Sequence, residues 1–287
     1  MSSPSRWSPA DVRVADVVII GGGIAGMMAA RHASHREVVM LTKSGFGEDG
    51  SSPLAQGGVA AAVGPGDSPV SHARDTMEAG GGLCREEIVR AVTREGPERI
   101  EELLELGAVF DRRESGELEL SREGAHDHAR VVHAEGDTSG AEIVRALKAT
   151  VESEGRIEIL ENRLAVELVV HRGRVAGLLS VDRSGRPLLL AANAVVLATG
   201  GIGRLFWATT NPAESTGDGL AMAARAGASL ADLEFVQFHP TALDVPADTK
   251  PLLTEALRGE GALLVDEAGR RIMEGVHPRL ELAPRDV

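Results

Sequence analysis

Three glycines stand at a spacing suited to phosphate. Gly21, Gly23 and Gly26 form G-x-G-x-x-G, with Gly22, Ile24 and Ala25 filling the motif. They follow the apolar run VADVVII (14–20) and precede MMAARHA, so the motif lies between a predicted strand and a predicted helix. In that setting one glycine makes the tight turn, one lets the backbone approach a pyrophosphate, and one lets helix and strand pack closely. The helix N-terminus adds N–H groups and the positive end of its dipole. A bound dinucleotide is the expected consequence. The next strand, EVVMLTK (37–43), ends in Thr42-Lys43 and not in the acid that would hold a ribose hydroxyl. That departure weakens a simple NAD reading. It leaves Lys43 either near the phosphates or adenosine, or as an exposed strand-end lysine.

A second glycine-rich stretch, GEDGSSPLAQGGVAA (47–61), points to a flavin. A flavin needs a long cradle with donors near the isoalloxazine ring, where negative charge develops on reduction. Ser51, Ser52 and Gln56 offer side-chain hydrogen bonds, and Gly57-Gly58 let backbone N–H groups meet a flat ring. Taken alone, the same stretch also reads as a glycine-rich surface loop.

These residues need elements to position them. The strand, helix and strand across 14–43 open a βαβ unit. Residues 86–106 carry a helical pattern interrupted at Gly96-Pro97, with Pro97 suited to the first position of a new helix and Gly107 to its stop. Residues 140–153 form another amphipathic helix. A run of strands follows, RIEIL (156–160), LAVELVVHRGRVAGLLSV (164–181) and RPLLLAANAVVLATGG (186–201), with turns at Arg172-Gly173 and Ser184-Gly185. This hairpin-rich insertion returns to a buried strand at 194–199. After about residue 233 the chain turns to loops carrying polar motifs, and its ending, ELAPRDV, reads as a cut.

The totals set bounds on function. The chain has 287 residues, 43% of them hydrophobic, enough for a sizeable core in one or two domains. Its formal charge of −13 disfavours nonspecific nucleic-acid or anionic-membrane binding. Cys84 is the only cysteine, so an internal disulfide and a cysteine metal cluster are excluded, and a reducing, cytoplasmic setting fits. No apolar run approaches the ~18 residues of a membrane span. The start, MSSPSRWSPADVR, is polar and reads as a flexible tail over 1–13. His126, His128 and His133 cluster in sequence without a cysteine partner, and no metal is expected there.

The motifs DVVIIGGGIAG, LTKSG, SPLAQGGVAAAV, DSPVSHARDTMEAGGGLC, LSREGAHDHARVVHA, DTSG, AVVLATGGIGRLF, TTNPAESTGDGLAMAARAGA, LEFVQFHPTAL, LLTEALRGEGA and ELAPRD occur in that order from about Asp16. In them the chain resembles the N-terminal half of the L-aspartate oxidases, within the fumarate reductase/succinate dehydrogenase flavoprotein superfamily. The resemblance implies an α/β fold: a Rossmann-like FAD-binding domain of the glutathione-reductase type with a β-meander insertion (14–233), then the start of an α+β capping domain (234–287). The family's later FAD-domain segment and helical domain are not in this sequence.

The resemblance also implies roles. Ser51 stands where membrane-complex relatives carry a flavin-linked His, so FAD is expected to be held noncovalently. The cofactor set extends to Ala55, Thr199, Gly200, Gly201 and Asp218, the last also readable as a turn aspartate capping the helix that begins at Gly219 or Leu220. Glu123, in REGAHDH, is placed near the substrate amino group, though by itself it reads as a surface glutamate. His239 is expected to hydrogen-bond a carboxylate, Thr254 to donate, and Glu255 to position its neighbours. Arg258 is expected to hold a carboxylate or relay a proton, and Arg285 matches the catalytic acid/base. The implied activity is oxidation of L-aspartate to iminoaspartate with O₂ or fumarate as acceptor, the first step of de novo NAD biosynthesis, with a functional link to quinolinate synthase. Two alternatives stand beside it: a soluble fumarate reductase or succinate oxidase, and a nonenzymatic flavin-binding fragment.

Overall fold

The structure, a computed structural model, describes residues 11–48, 50–254, 256–283 and 287. In chain order the strands and helices are β1 (Asp11–Ile20), α1 (Ile24–His32), β2 (Val38–Leu41), β3 (Val59–Ala60), α2 (Pro69–Ala79), α3 (Glu86–Glu105), β4 (Leu120–Ser121) and β5 (Val131–Val132). They continue with α4 (Ser139–Ser153), β6 (Ile157–Leu160), β7 (Arg163–His171), β8 (Arg174–Asp182), β9 (Pro187–Leu197), α5 (Asp218–Arg225) and α6 (Ala256–Gly259). The chain divides into two compact units, one of Met1–Pro53 with Val144–Val236, the other of Leu54–Ile143 with Gln237–Val287. Residues 54–143 thus group with the C-terminal segment.

The first unit is built on one six-stranded sheet, ordered β6-β2-β1-β9-β8-β7. β6, β2, β1 and β9 run parallel, whereas β8 is antiparallel to β9 and β7 to β8. The predicted meander is therefore continuous with the parallel sheet. β9 serves both parts: its first residues pair with β8, and its length from Leu188 to Leu197 pairs with β1. The Arg172-Gly173 hairpin has positive φ at both residues, 51° and 75°, the twist-matched geometry for a two-residue turn. Pairing also extends β1 back to Asp11, so residues 11–13 are strand and not tail. Val18, Ile20, Val39, Leu41, Leu178 and Leu190 form the core, with Met222 of α5 packed against it.

In the second unit β3, β5 and β4 form a small antiparallel sheet. α2 starts at an N-cap, Ser68, whose Oγ accepts from Ser71 N at 3.1 Å, with Pro69 in the first turn. α3 is one helix and not two: Pro97 lies inside it. Its buried stripe through Thr93, Ile100 and Leu103 lies on both sides of the proline, and that packing outweighs the one backbone bond that proline removes. Gly107 does end it, with φ 85°, its N–H donating to Leu104 O and that of Ala108 to Leu103 O. Among the described residues no helix is long and apolar enough to cross a membrane.

Candidate functional site

In the first unit, the glycine loop, the N-terminus of α1 and the start of α5 surround a cavity of about 380 Å³. Gly21 has φ 116°, and a Cβ there would lie 2.1 Å from Ala198 O. A Cβ at Gly26 would lie 1.9 Å from Gly21 O, so this glycine serves the close packing of helix on strand and does not line the cavity. Gly23 caps α1, and Ile24 N donates to Ser52 Oγ at 3.1 Å. Of the expected cofactor residues, Gly21, Gly22, Gly23, Ile24, Ala25, Lys43, Ser51, Ser52, Thr199, Gly200 and Asp218 line this space.

Lys43 and Asp218 meet across the cavity wall. The Lys43 ammonium donates to Glu214 O and Thr216 Oγ1, both at 2.7 Å, and is ion-paired with Asp218. Burial pushes the Asp218 carboxyl up, but the Lys43 ammonium and the Thr216 hydroxyl outweigh it and hold it below the ordinary carboxylate value. Asp218 is not the helix cap. Gly217 takes that position with φ 76°, and Asp218 sits in the first turn, where its charge meets the positive end of the helix. Arg163, Ala165, Ser215 and Met222 also line the cavity. Sequence reading missed them because no local motif marks a strand or helix residue that faces a loop far away in the chain.

The residues present fit the phosphate-bearing part of a dinucleotide. Side-chain-free backbone, a helix N-terminus and a lysine face a cavity whose walls at Ile20, Leu41 and Leu197 are apolar. Gly201 is not among the lining residues, and a Cβ there would meet nothing within 4 Å. Ala55, Gln56, Gly57 and Gly58 belong to the second unit. There, a Cβ at Gly58 would lie 2.3 Å from Val132 O and 2.9 Å from the His133 ring, whereas Gly57 has open space. Gly58 is thus required by packing against β5.

The second unit holds a cavity of about 570 Å³, lined by Ser121, Glu123, His133, Arg258 and Glu281 among others. His133 Nε2 lies 2.6 Å from Ser121 Oγ and 3.8 Å from Glu123 Oε1. Arg258 donates from Nη1 to Glu281 O at 3.1 Å. The Glu281 carboxylate accepts from Arg271 Nε at 2.9 Å, and the Arg271 guanidinium holds it down to about 2. A carboxylate and a guanidinium thus face one space. His239 and Thr254 are not among its lining residues; His239 Nδ1 accepts from Thr241 N at 3.3 Å, and Thr254 O accepts from Leu257 N. Glu255 and Arg285 lie outside the described residues.

Sequence reading also missed a buried ionic cluster beneath the Glu123 loop. Arg130 is fully buried, donating from Nε and Nη2 to Asp67 at 2.9 Å each and from Nη1 to Asp75 at 2.8 Å. Asp75 in turn accepts from Asp127 N at 3.0 Å, tying loop 123–128 to α2. Burial pushes the Asp75 carboxyl up, but the Asp127 N–H and the Arg130 guanidinium together hold it below the ordinary value. His72 and His126 stack edge to face at 5.6 Å, and both are held below the usual imidazole value by burial and then by the Arg130 charge. The spacing of Asp67, Asp75 and Arg130 follows no local period, so only the fold brings them together.

An L-aspartate oxidase of Mesorhizobium japonicum is 52% identical over 270 residues, covering 94% of this chain and 52% of that protein. One from Streptomyces coelicolor is 50% identical over 283 residues, covering 95% and 48%. The chain spans about half the length of these curated relatives. Among solved structures, an E. coli quinol fumarate reductase superposes with a TM-score of 0.90 at 32% identity, covering 96% of this chain and 49% of that one. The Mycobacterium smegmatis Sdh1 complex gives 0.82 at 37%, covering 90% and 46%. The family model described as FAD binding domain matches residues 16–287. That match starts within β1, the strand that delivers the glycine loop, and runs through both cavities, so the chain belongs to the FAD binding domain family.

Proposed function

We propose that this chain serves the FAD-dependent oxidation of L-aspartate to iminoaspartate. The observation that carries this reading is the pairing of Glu123 and Arg258 on one cavity, in a chain half-identical to L-aspartate oxidases. Aspartate offers an ammonium and two carboxylates. Glu123 is the partner for the ammonium, Arg258, His239 and Thr254 are the partners for the carboxylates, and Glu255 positions its neighbours. In the reaction a C–H bond at Cα and an N–H bond are broken and a C=N bond forms. FAD, when bound, accepts the two electrons with the hydride. Arg285 is assigned to the proton. Ser51 leaves no histidine for a covalent link, so FAD is held by the glycine loop, the α1 N-terminus and the Lys43–Asp218 pair.

In the same reading the first unit is the core of an FAD domain of the glutathione-reductase type, and residues from 234 onward begin a cap. O₂ or fumarate reoxidises the cofactor, the setting is cytoplasmic, and the imine product feeds de novo NAD biosynthesis through quinolinate synthase. Similarity to fumarate reductases favours a second reading, reduction of fumarate or oxidation of succinate. Glu123 argues against it, because a second carboxylate in the site repels a dicarboxylate that brings no cation. The visible spectrum of the FAD-loaded protein, taken anaerobically, decides between them. Bleaching of the flavin bands by L-aspartate and not by succinate is expected; bleaching by succinate alone would reverse the assignment.

A further inference from the structure

Resting on the reading of Arg258 as a partner for the substrate carboxylates, we propose that Glu281 is a positioning residue: its carboxylate, clamped by Arg271 and Leu264 N, fixes its own main-chain carbonyl, which holds the Arg258 guanidinium at the cavity. Each link is within hydrogen-bond reach. Arg271 Nε donates to Glu281 Oε1 at 2.9 Å and to Oε2 at 3.2 Å, and Arg271 Nη2 donates to Oε2. Leu264 N donates to Oε1 at 3.3 Å. The two donors come from opposite arms of a hairpin over 264–272. It is closed by the Val265–Arg271 bridge, by Ile272 N donating to Leu264 O at 2.8 Å, and by the Asp266 carboxylate, which accepts from Ala268 N and Arg270 N at 2.9 Å each. From the backbone of the same glutamate, Glu281 O accepts from Arg258 Nη1 at 3.1 Å. Arg258, Glu281 and Leu282 all line the second-unit cavity.

A buried ion pair is a poor device for stability alone. The desolvation of two charges can exceed their attraction, and apolar side chains of similar volume often hold a segment as well. What the pair supplies is direction, because a planar guanidinium against a planar carboxylate fixes orientation as well as distance. The Glu281 side chain is 4% exposed and that of Arg271 29%, so the contact is shielded on the glutamate side. The backbone beside it is also held in an unusual form. Leu280 has φ 50°, a left-handed conformation that leucine rarely adopts and that persists where the surroundings fix it. Leu282 N donating to Arg279 O and Ala283 N to Leu280 O, both at 3.0 Å, close the turn there. Arg258 itself sits in α6, a helix of four residues, too short to be stable by its own hydrogen bonds. The Glu281 carbonyl is thus a fixed point for a long side chain on a short support.

Anaerobic titration and reduction of the FAD-loaded protein with L-aspartate, read from the flavin absorbance, give a dissociation constant and a limiting rate. Arg271→Gln breaks the clamp without touching Glu281, Arg258 or the cavity lining. It is expected to weaken aspartate binding about three- to tenfold and to leave the limiting rate within about twofold of wild type. The deciding comparison is a double-mutant cycle with Arg258→Met. In that background Arg271→Gln is expected to cost no further affinity, within about twofold, because the group it positions is gone. Equal fold-losses in both backgrounds would mean a general loosening of the segment and would overturn the proposal, as would unchanged binding in Arg271→Gln alone. Glu281→Gln keeps an acceptor for Leu264 N, loses the charge, and should repeat the Arg271→Gln result. If Arg271→Gln does not fold, Arg271→Lys, which keeps the charge and loses the fork, takes its place in the cycle under the same criteria. Failure of the functional reading shows elsewhere. Unchanged aspartate binding in Arg258→Met removes Arg258 from its assigned role, and the proposal with it. A wild-type flavin that responds to succinate and not to aspartate reverses the activity, and the same cycle run with succinate then decides the role of Glu281.

Discussion

Glu123 and Lys43 carry opposite charges and opposite commitments. Lys43 is already spoken for, ion-paired with Asp218 and hydrogen-bonded to Thr216 Oγ1 and Glu214 O. It lines the cavity that the proposed function assigns to FAD. Asp218→Asn breaks the ion pair that fixes the Lys43 ammonium in the cavity wall and is expected to weaken FAD binding about three- to tenfold, as measured by fluorescence titration of the apoprotein. Glu123 has only His133 within 4 Å as an ionic neighbour among the described contacts and faces an open cavity. Glu123→Gln should lower kcat/KM for aspartate by about 10- to 100-fold, the loss of one charge-assisted hydrogen bond. The rate of fumarate reduction should hardly move; equal losses in both reactions would remove Glu123 from its assigned role. Both residues were legible in the sequence as candidates. The pairing of Lys43 with Asp218 was not, because the two meet only through space.

At the scale of elements, the glycines divide by what a Cβ would meet. Gly26 stands where α1 touches the turn after β1, and a methyl group would enter the Gly21 carbonyl. Gly26→Ala is expected to destabilise the protein by about 1–3 kcal/mol or more, since neither backbone can yield without moving the helix. Gly57→Ala, with open space around it, should leave the melting temperature within about a degree of wild type. A thermal melt of the two variants tests the pair together. The glycine loop was readable because its steric demands are local. The continuity of α3 through Pro97 was not, because the burial of Thr93, Ile100 and Leu103 that sustains it comes from tertiary packing. Asp218, also readable as a cap, lies in the first turn, and Gly217 holds the cap position.

For the molecule as a whole, the ionic cluster of the second unit sets a pH limit on stability. His72 and His126 are held below the usual imidazole value of about 6.5. The unfolded chain therefore takes up protons there that the folded chain refuses. Stability from these groups is fully present above about pH 6.5 and is lost as pH falls through their lower folded values. Asp75, depressed by the Asp127 N–H and Arg130 despite its burial, adds a second loss in the same direction below the carboxylate range. The melting temperature should be flat above about pH 7 and fall progressively on acidification. His126→Gln should reduce the fall between pH 6.5 and 5; an unchanged slope would show that the imidazoles do not control it.

What the sequence determined by itself was the chemistry that runs along the chain. Strand, glycine loop and helix follow one another within 11–32, and local spacing is enough to specify a phosphate cradle. The alternation and turns of 163–197 likewise specified the meander, because hairpins are local. Tertiary structure decided everything that depends on meeting at a distance. It joined β9 to both halves of the sheet, placed Arg130 between Asp67 and Asp75, and set His133 behind Glu123. It also separated two stretches that adjoin in sequence, sending Ser51 and Ser52 to one unit and Gln56, Gly57 and Gly58 to the other. The physical reason is that backbone geometry and turn chemistry act between neighbours in the chain, whereas burial and charge pairing act between neighbours in space.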